Sequence, residues 1–411
     1  MDEWVSLEEL YLAYLDCRKR KRGTKSCAIF ELNEAANLYQ LWQDLNDGTY
    51  QIGKSIAFCV TRPKVREVFA ADFRDRIVHH LLMMRTMPLF EEEFIDETYN
   101  CRKGKGTAAA HAKALEYSLE YADGWVLDID IQGFFMSINK KMLADRLEAF
   151  LRERYKGKDL EQVIWLTRMV ALHCPENLCE RHGDLTLWRL LSPDKSLFTC
   201  GEGLGMAIGN LTSQEYANFY LSPFDKWVKS HPGIAYIRYV DDGRIFSHDK
   251  AALLALIPEI RKYLREHDGL QLHPRKISLQ QVRKGFVFVG VAIKGGRIYT
   301  GNRTVTNCMR MVEFYNRLPV SEQQESVTKY VQRYNSYMGY MIHHSSYSIR
   351  YRTWQRVEDM KSFVYIEKQM GKVAPLAEYN QYNQLKQSYY ELRKNKHSGI
   401  GIQGCRAKQA A

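Results

Sequence analysis

The sequence predicts an α+β protein, a mixed helix-and-strand portion with paired acidic strands followed by a helical portion. Three observations predict it. Tyr239-Val240-Asp241-Asp242 places adjacent carboxylates between apolar Ile234-Ala235-Tyr236-Ile237 and strand-like Arg244-Ile245-Phe246-Ser247, the pattern of a β-hairpin with an acidic tip. Upstream, Val126-Leu127-Asp128-Ile129-Asp130-Ile131-Gln132-Gly133-Phe134-Phe135 alternates so that Asp128 and Asp130 share one side of a strand. From Thr304 onward the periodicity is helical, interrupted at Pro319 and around Gly339.

Composition bounds the partners. A chain of 411 residues with 45% hydrophobic content can bury two or three cores without staples. The formal net charge of +11 suits a polyanionic partner, since Lys and Arg that neutralise phosphates release condensed counterions, but it also suits solvated basic faces. Nine cysteines, an odd number scattered from Cys17 to Cys405, and the acidic start Met1-Asp2-Glu3 predict reduced thiols and a cytoplasmic location. No uninterrupted apolar run approaches the roughly 18 residues a membrane span requires, so no membrane partner is expected.

The elements follow in chain order. Ser6 caps an amphipathic run through Leu7, Leu10, Tyr11, Tyr14 and Leu15, which ends in Arg18-Lys19-Arg20-Lys21-Arg22-Gly23, either a solvated helix end or a phosphate contact. Strands are expected from Tyr50 to Val60 and from Glu67 to Ala71 around the turn-forming Arg62-Pro63-Lys64. Asp72 then opens a long helix through Ile77, Leu81, Leu82 and Met84 towards Pro88. After the first acidic strand come helices over 140–154 and 160–172 and a loop-rich stretch to Gly205. A helix over 210–228 precedes the hairpin. Beyond it lie a helix over 250–265 and strands over 286–293 and 297–299.

Two acidic strands suggest a shared metal pair. Crowded carboxylates repel unless cations sit between them, and two Mg²⁺ ions held this way suit nucleotidyl transfer. His173, Cys174, Cys179 and His182, with Cys200 beyond, are a second candidate cluster; their spacing fits no standard zinc finger, so structural roles compete with metal binding.

Taken in order, these segments resemble a bacterial reverse transcriptase over roughly residues 50 to 300. Lys64-Val65-Arg66-Glu67-Val68 with Asp72-Phe73-Arg74-Asp75-Arg76-Ile77-Val78 resembles the family's first motif, and Asn100-Cys101-Arg102-Lys103-Gly104-Lys105-Gly106 the second. Asp130-Ile131-Gln132-Gly133-Phe134-Phe135 resembles the third and Tyr239-Val240-Asp241-Asp242 the fifth. Pro274-Arg275-Lys276 and Gly285-Phe286-Val287-Phe288-Val289-Gly290 resemble the two that close the palm. The resemblance implies a right-hand polymerase with fingers in 1–122 and 157–205, an antiparallel-sheet palm in 123–156 and 206–296, a helical thumb in 297–370 and a basic polar tail in 371–411.

It also implies residue roles. Asp130, Asp241 and Asp242 would be the catalytic carboxylates and would ligate two Mg²⁺ ions, with the Ile131 carbonyl assisting, whereas Asp128 is expected to make structural hydrogen bonds. Lys64 and Arg66 would face the triphosphate. Phe135 would gate against a 2′-hydroxyl, or pack beside Phe134. Lys276 would approach the leaving pyrophosphate. Gly209 would admit the nascent pair closely, or simply start a helix. Arg102, Lys103, Lys105 and Gln214 are expected at the nucleic acid.

The fourth motif narrows the family. Where most bacterial members carry Gln-Gly-x-x-x-Ser-Pro, this chain has Ile208-Gly209-Asn210-Leu211-Thr212-Ser213-Gln214, similar to the reverse transcriptases of diversity-generating retroelements. That resemblance implies dNTP-dependent copying of a template-repeat RNA into adenine-mutagenised cDNA, aided by an accessory variability determinant, a small basic helical oligomer. The rivals are another bacterial lineage, of antiphage-defence or intron-like kind, and a noncatalytic RNA-binding scaffold; the intact Asp130, Asp241 and Asp242 argue against the scaffold.

Overall fold

A computed structural model describes residues 3–397 apart from 20, 62, 63 and 368. Arg20 of the basic block, the Arg62-Pro63 turn and residues 398–411 of the expected tail lie outside the described residues. The chain divides into two compact units, the first ending at Lys284 and the second beginning at Gly285.

The first unit opens with α1 (Leu7–Arg18), capped as expected by Ser6 Oγ accepting from Glu9 N at 3.1 Å. Two further helices follow, α2 (Lys25–Glu31) and α3 (Glu34–Asn46), neither of them among the elements expected from the sequence. Strand β1 (Ser55–Val60) starts later than Tyr50, because Tyr50 turns inward and donates to buried Asp75 at 2.7 Å. It pairs antiparallel with β2 (Arg66–Ala70). Asp72 caps α4 (Phe73–Glu93), which runs on through Pro88. Burial of Leu81, Leu82, Met83 and Phe90 along this helix offsets the roughly 3 kcal/mol that an internal proline costs.

Next come α5 (Thr107–Glu120), β3 (Trp125–Asp130), the single turn α6 (Phe134–Ser137), α7 (Lys140–Arg154) and α8 (Leu160–Leu172). The stretch expected to be loop-rich contains β4 (Cys179–His182), which adds parallel to β1 to give the order β2-β1-β4. Cys179 and His182 thus sit on a strand and Cys174 Sγ accepts from Lys140 Nζ at 3.1 Å; among the described residues no group of three or more His, Cys, Asp or Glu is placed to hold a metal.

Helix α9 (Leu211–Lys229) leads into the hairpin β5 (Ala235–Tyr239) and β6 (Asp242–Ser247), followed by α10 (Lys250–His267) and the short polar strand β7 (Ser278–Gln281). These strands form an antiparallel sheet of order β5-β6-β3-β7. One face packs into a core to which α1, α4, α7, α8, α9 and α10 contribute Leu10, Leu81, Leu147, Val163, Tyr220 and Leu256.

The second unit starts with the antiparallel sheet β8 (Phe286–Phe288), β9 (Val291–Lys294) and β10 (Arg297–Thr300), so these strands leave the first unit before the boundary expected after residue 296. Four helices follow: α11 (Asn302–Asn316), α12 (Val320–Glu325), α13 (Val327–Met341), which passes Gly339 unbroken, and α14 (Tyr347–Gln355). A hairpin-like pair, β11 (Val364–Ile366) and β12 (Val373–Pro375), then ties the start of the expected tail to this unit before α15 (Leu376–His397). Tyr315, Tyr330, Tyr334 and Met338 centre its core. Among the described residues no helix is long and apolar enough to cross a membrane, and all eight cysteines are free thiols.

Candidate active site

Strand register builds the site. β3 lies beside β6 with Asp130 opposite Asp242 and Asp128 opposite Arg244, and Tyr239 pairs with Asp242, leaving Val240-Asp241 as a two-residue turn at the hairpin tip. The tip therefore stands beside the end of β3. Burial first, and then the Asp130 charge, push the Asp241 carboxyl up to about 6. Lys276 Nζ bridges both Asp130 oxygens at 2.8 and 3.0 Å. Asp242 is held by Arg244 Nη1, whose Nε lies 2.9 Å from Asp128 Oδ1; Ser278 Oγ donates to the other Asp128 oxygen at 2.9 Å. Asp128 thus has the structural role expected of it.

The ladder also bears on Ile131. His273 N donates to Asp130 O and Gln132 N to Gln271 O on either side of the Ile131–Leu272 bridge, so the Ile131 carbonyl points away from that partner.

Around this centre the other expected residues divide. Lys64 and Arg66 are exposed at the start of β2. Gly209 is fixed by sterics: its φ is +127° and a Cβ there would stand 2.7 Å from the Phe69 carbonyl oxygen. Ile208 O accepts from Phe69 N at 2.8 Å, and its half-buried side chain packs on the apolar cluster of Ala57, Phe69, Met136, Leu197 and Ala207. Phe135 packs partly on the same cluster, while Phe134 is buried in the main core. Gln214 is exposed, with Cys101 Sγ donating to its Oε1 at 2.8 Å.

The second motif needs a correction. Arg102 is not available to nucleic acid: it is buried, pairs with Glu91 at 2.8 Å and donates to the carbonyls of Ile95 and Thr98 at 2.6 and 3.1 Å. Lys105 is half-buried over the Tyr99 ring and donates to Asp96 O at 2.9 Å; Lys103 remains exposed. A guanidinium that satisfies carbonyls inside the fold contributes shape, not phosphate affinity.

The sequence model of the reverse transcriptase (RNA-dependent DNA polymerase) family matches residues 61–293, more than half of the chain and all of the site just described. The chain belongs to the reverse transcriptase family. Its right-hand polymerase fold and its identity as an RNA-directed DNA polymerase follow from that membership. Among curated relatives, Protein YkfC of Escherichia coli (strain K12) is 22% identical over 297 residues, covering 62% of this chain and 71% of that protein. Among solved structures, telomerase from Candida albicans with a fragment of telomeric RNA is 10% identical, with TM-score 0.42, covering 74% of this chain and 58% of that one. Apo telomerase from Candida tropicalis is 10% identical, with TM-score 0.47 and coverages of 74% and 56%. The chain spans less than two thirds of the length of these telomerase chains.

Reverse transcriptases depend on divalent metal, and this site's donors suit one. Asp130, Asp241 and the Ile131 carbonyl offer hard oxygen ligands, and the Asp241 carboxyl is raised mainly by burial and secondly by the Asp130 charge beside it. Among the described residues no three acidic, His or Cys side chains already converge, with Asp130 turned onto Lys276 and Asp242 onto Arg244.

Sequence reasoning missed Arg244 and the buried Arg238 beneath the tip. Both had a signal: an arginine amid the apolar residues of a strand must find an acid, and alternation puts Arg244 on the side of Asp242.

Proposed function

We propose that this chain copies a template-repeat RNA into cDNA with errors at adenines, for diversification of a target gene, and works with an accessory basic helical oligomer in the cytoplasm. The observation that carries this reading is Ile208-Gly209-Asn210-Leu211-Thr212-Ser213-Gln214 in the fourth motif. An isoleucine at the expected Gln position presents no amide to the nascent pair, and an apolar surface rejects mismatches less strictly than a hydrogen-bonding one.

In this reading the palm is the β5-β6-β3-β7 sheet, the fingers hold the β2-β1-β4 sheet, and the helical second unit is the thumb. Asp130, Asp241, Asp242 and the Ile131 carbonyl would hold two Mg²⁺ ions. When bound, such ions lower the pKa of the primer 3′-hydroxyl and neutralise charge on the leaving pyrophosphate. Lys64 and Arg66 clamp the triphosphate and align it for in-line attack. Lys276 gives a proton to the departing pyrophosphate oxygen. Phe135 stands under the sugar and excludes a 2′-hydroxyl, and the missing Cβ of Gly209 lets the backbone approach the base pair.

Sequencing cDNA made by the purified enzyme from one template RNA, with and without its accessory partner, tests the reading. Misincorporation concentrated opposite template adenines is expected, and Ile208→Gln should reduce it by up to the ~1–3 kcal/mol of a buried polar contact. Errors spread evenly over the four template bases would assign the chain to another bacterial lineage. No cDNA under any divalent cation would favour the RNA-binding scaffold.

A further inference from the structure

The turn that carries Asp241 is held in a conformation its own sequence resists. Val240 has φ +60°, in the left-handed region where a two-residue hairpin turn usually takes Gly, Asn or Asp. A β-branched residue there crowds its own backbone, so surrounding structure must hold it. Both backbone polar groups of Val240 are gripped by buried side chains. Its N–H donates to Asn100 Oδ1 at 2.9 Å, and its carbonyl accepts from Arg238 Nη1 at 2.8 Å.

These two side chains are anchored in turn. Asn218 Nδ2 donates to the Asn100 carbonyl at 3.0 Å. Arg238 is paired through Nε and Nη2 with Asp225, whose oxygens also accept from Tyr236 OH at 2.9 Å and Thr98 Oγ1 at 3.0 Å. Residues 97–99 run alongside β5, with Arg238 N donating to Glu97 O at 3.0 Å and Tyr99 N to Arg238 O at 3.1 Å. Asn100 is 2% exposed and Asn218, Asp225 and Arg238 at most 1%. The second motif therefore reaches the catalytic centre from below, through Asn100, and not through its basic residues.

We infer that Asn100 is a positioning residue for polymerisation: by holding the Val240 amide it keeps the turn left-handed and so sets where the Asp241 carboxylate stands against Asp130. Without that bond Val240 is free to relax to negative φ, and a rotation one residue before Asp241 swings its carboxylate. The inference rests on Asp241 being the catalytic carboxylate, which Asp241→Asn tests separately.

The test is a double-mutant cycle between Asn100→Ala and Val240→Gly, read as kcat per titrated active site on a primer–template. Glycine adopts the left-handed turn without strain, so it removes the need for the clamp. Asn100→Ala is expected to lower kcat by about tenfold in the Val240 background and by less than about threefold in the Val240→Gly background, with KM for dNTP little changed. Binding of Mn²⁺ to the protein–primer–template complex, followed by electron paramagnetic resonance, should weaken and recover in parallel. Asn100→Asp keeps the acceptor and should hold kcat within about threefold of the parent. Where Asn100→Ala yields no folded protein, Asn100→Ser enters the same cycle. An equal kcat loss in both backgrounds, or a fall in thermal midpoint with kcat per active site intact, would make Asn100 a stability residue only and overturn the inference. If Asp241→Asn itself remains active, the catalytic assignment fails instead.

Discussion

Arg238 and Arg244 lie on adjoining strands of one hairpin, both nearly buried, yet they point to opposite faces and serve opposite ends. On the core face Arg238 closes a one-to-one pair with Asp225, their side chains 2% and 1% exposed. On the catalytic face Arg244 is shared between Asp128 and Asp242, which are 21% and 33% exposed. The first arrangement neutralises itself and fixes shape. The second leaves one cation among more carboxylates than it can balance and adjusts charge. A buried pair costs more to break than it returns when formed, whereas a pair open to water is worth little to stability. The same residue type is thus a scaffold on one face and an electrostatic element on the other.

The largest effect should come from the residue both faces serve. If Asp241 holds metal as proposed, Asp241→Asn removes that charge while keeping the side chain's shape, so primer extension should fall by about a hundredfold or more with RNA binding largely intact. Near-normal extension by the purified Asp241→Asn protein would dissolve the comparison, because neither arginine would then be serving catalysis.

Next in size is the core-face arginine. Arg238→Met strands Asp225 inside the fold and should cost roughly 3–5 kcal/mol in urea unfolding, since one partner of a buried pair is left uncompensated. On the other face, Arg244→Gln should lower the thermal midpoint by less than Arg238→Met does. It should slow extension by about tenfold, the scale of one misplaced charged hydrogen bond, and change the Mg²⁺ concentration needed. If Arg244→Gln is the more destabilising of the two, the faces have been assigned the wrong way round.

How much of this was legible in the sequence follows the same division. The acidic tip, the Asp130 strand and the helices α7, α8, α9 and α10 were readable, because each is a local pattern of periodicity or turn chemistry. β4 was not, since its pairing with β1 joins segments far apart in sequence, and β7 was not, since Ser278-Leu279-Gln280-Gln281 shows too little alternation at the edge of a sheet. Arg102 misled for a related reason. A basic residue in a glycine-rich loop reads as a phosphate contact, and only the tertiary fold reveals that Glu91 and two carbonyls consume it. Val240 was part of a quoted motif, but its strained φ, and hence its need for Asn100, comes only with coordinates.

The smallest effect tests whether the core face tolerates an unbalanced charge at all. Glu215 on α9 is wholly buried, and burial first, then the nearby Glu91 carboxylate, push its carboxyl up to about 8, with the Asn218 amide and Arg102 pulling the other way. Folding therefore favours its protonated form. That contribution is fully present below the ordinary glutamate value of 4.5 and is lost as pH rises through about 8. Asp241 and Asp268, both raised to about 6, titrate earlier, and the thiols of Cys17, Cys101 and Cys308, lifted by burial above the ordinary 9.0, weaken the fold only as pH approaches 9, so Glu215 dominates from about pH 7 to 8. The thermal midpoint of the parent protein should fall by a few degrees across that window. Glu215→Gln, which mimics the neutral acid, should hold steadier and exceed the parent at the alkaline end. Parallel declines in the two proteins would mean that Glu215 is already ionised in the fold, and that the core face, like the catalytic one, carries charge that Arg238 alone does not balance.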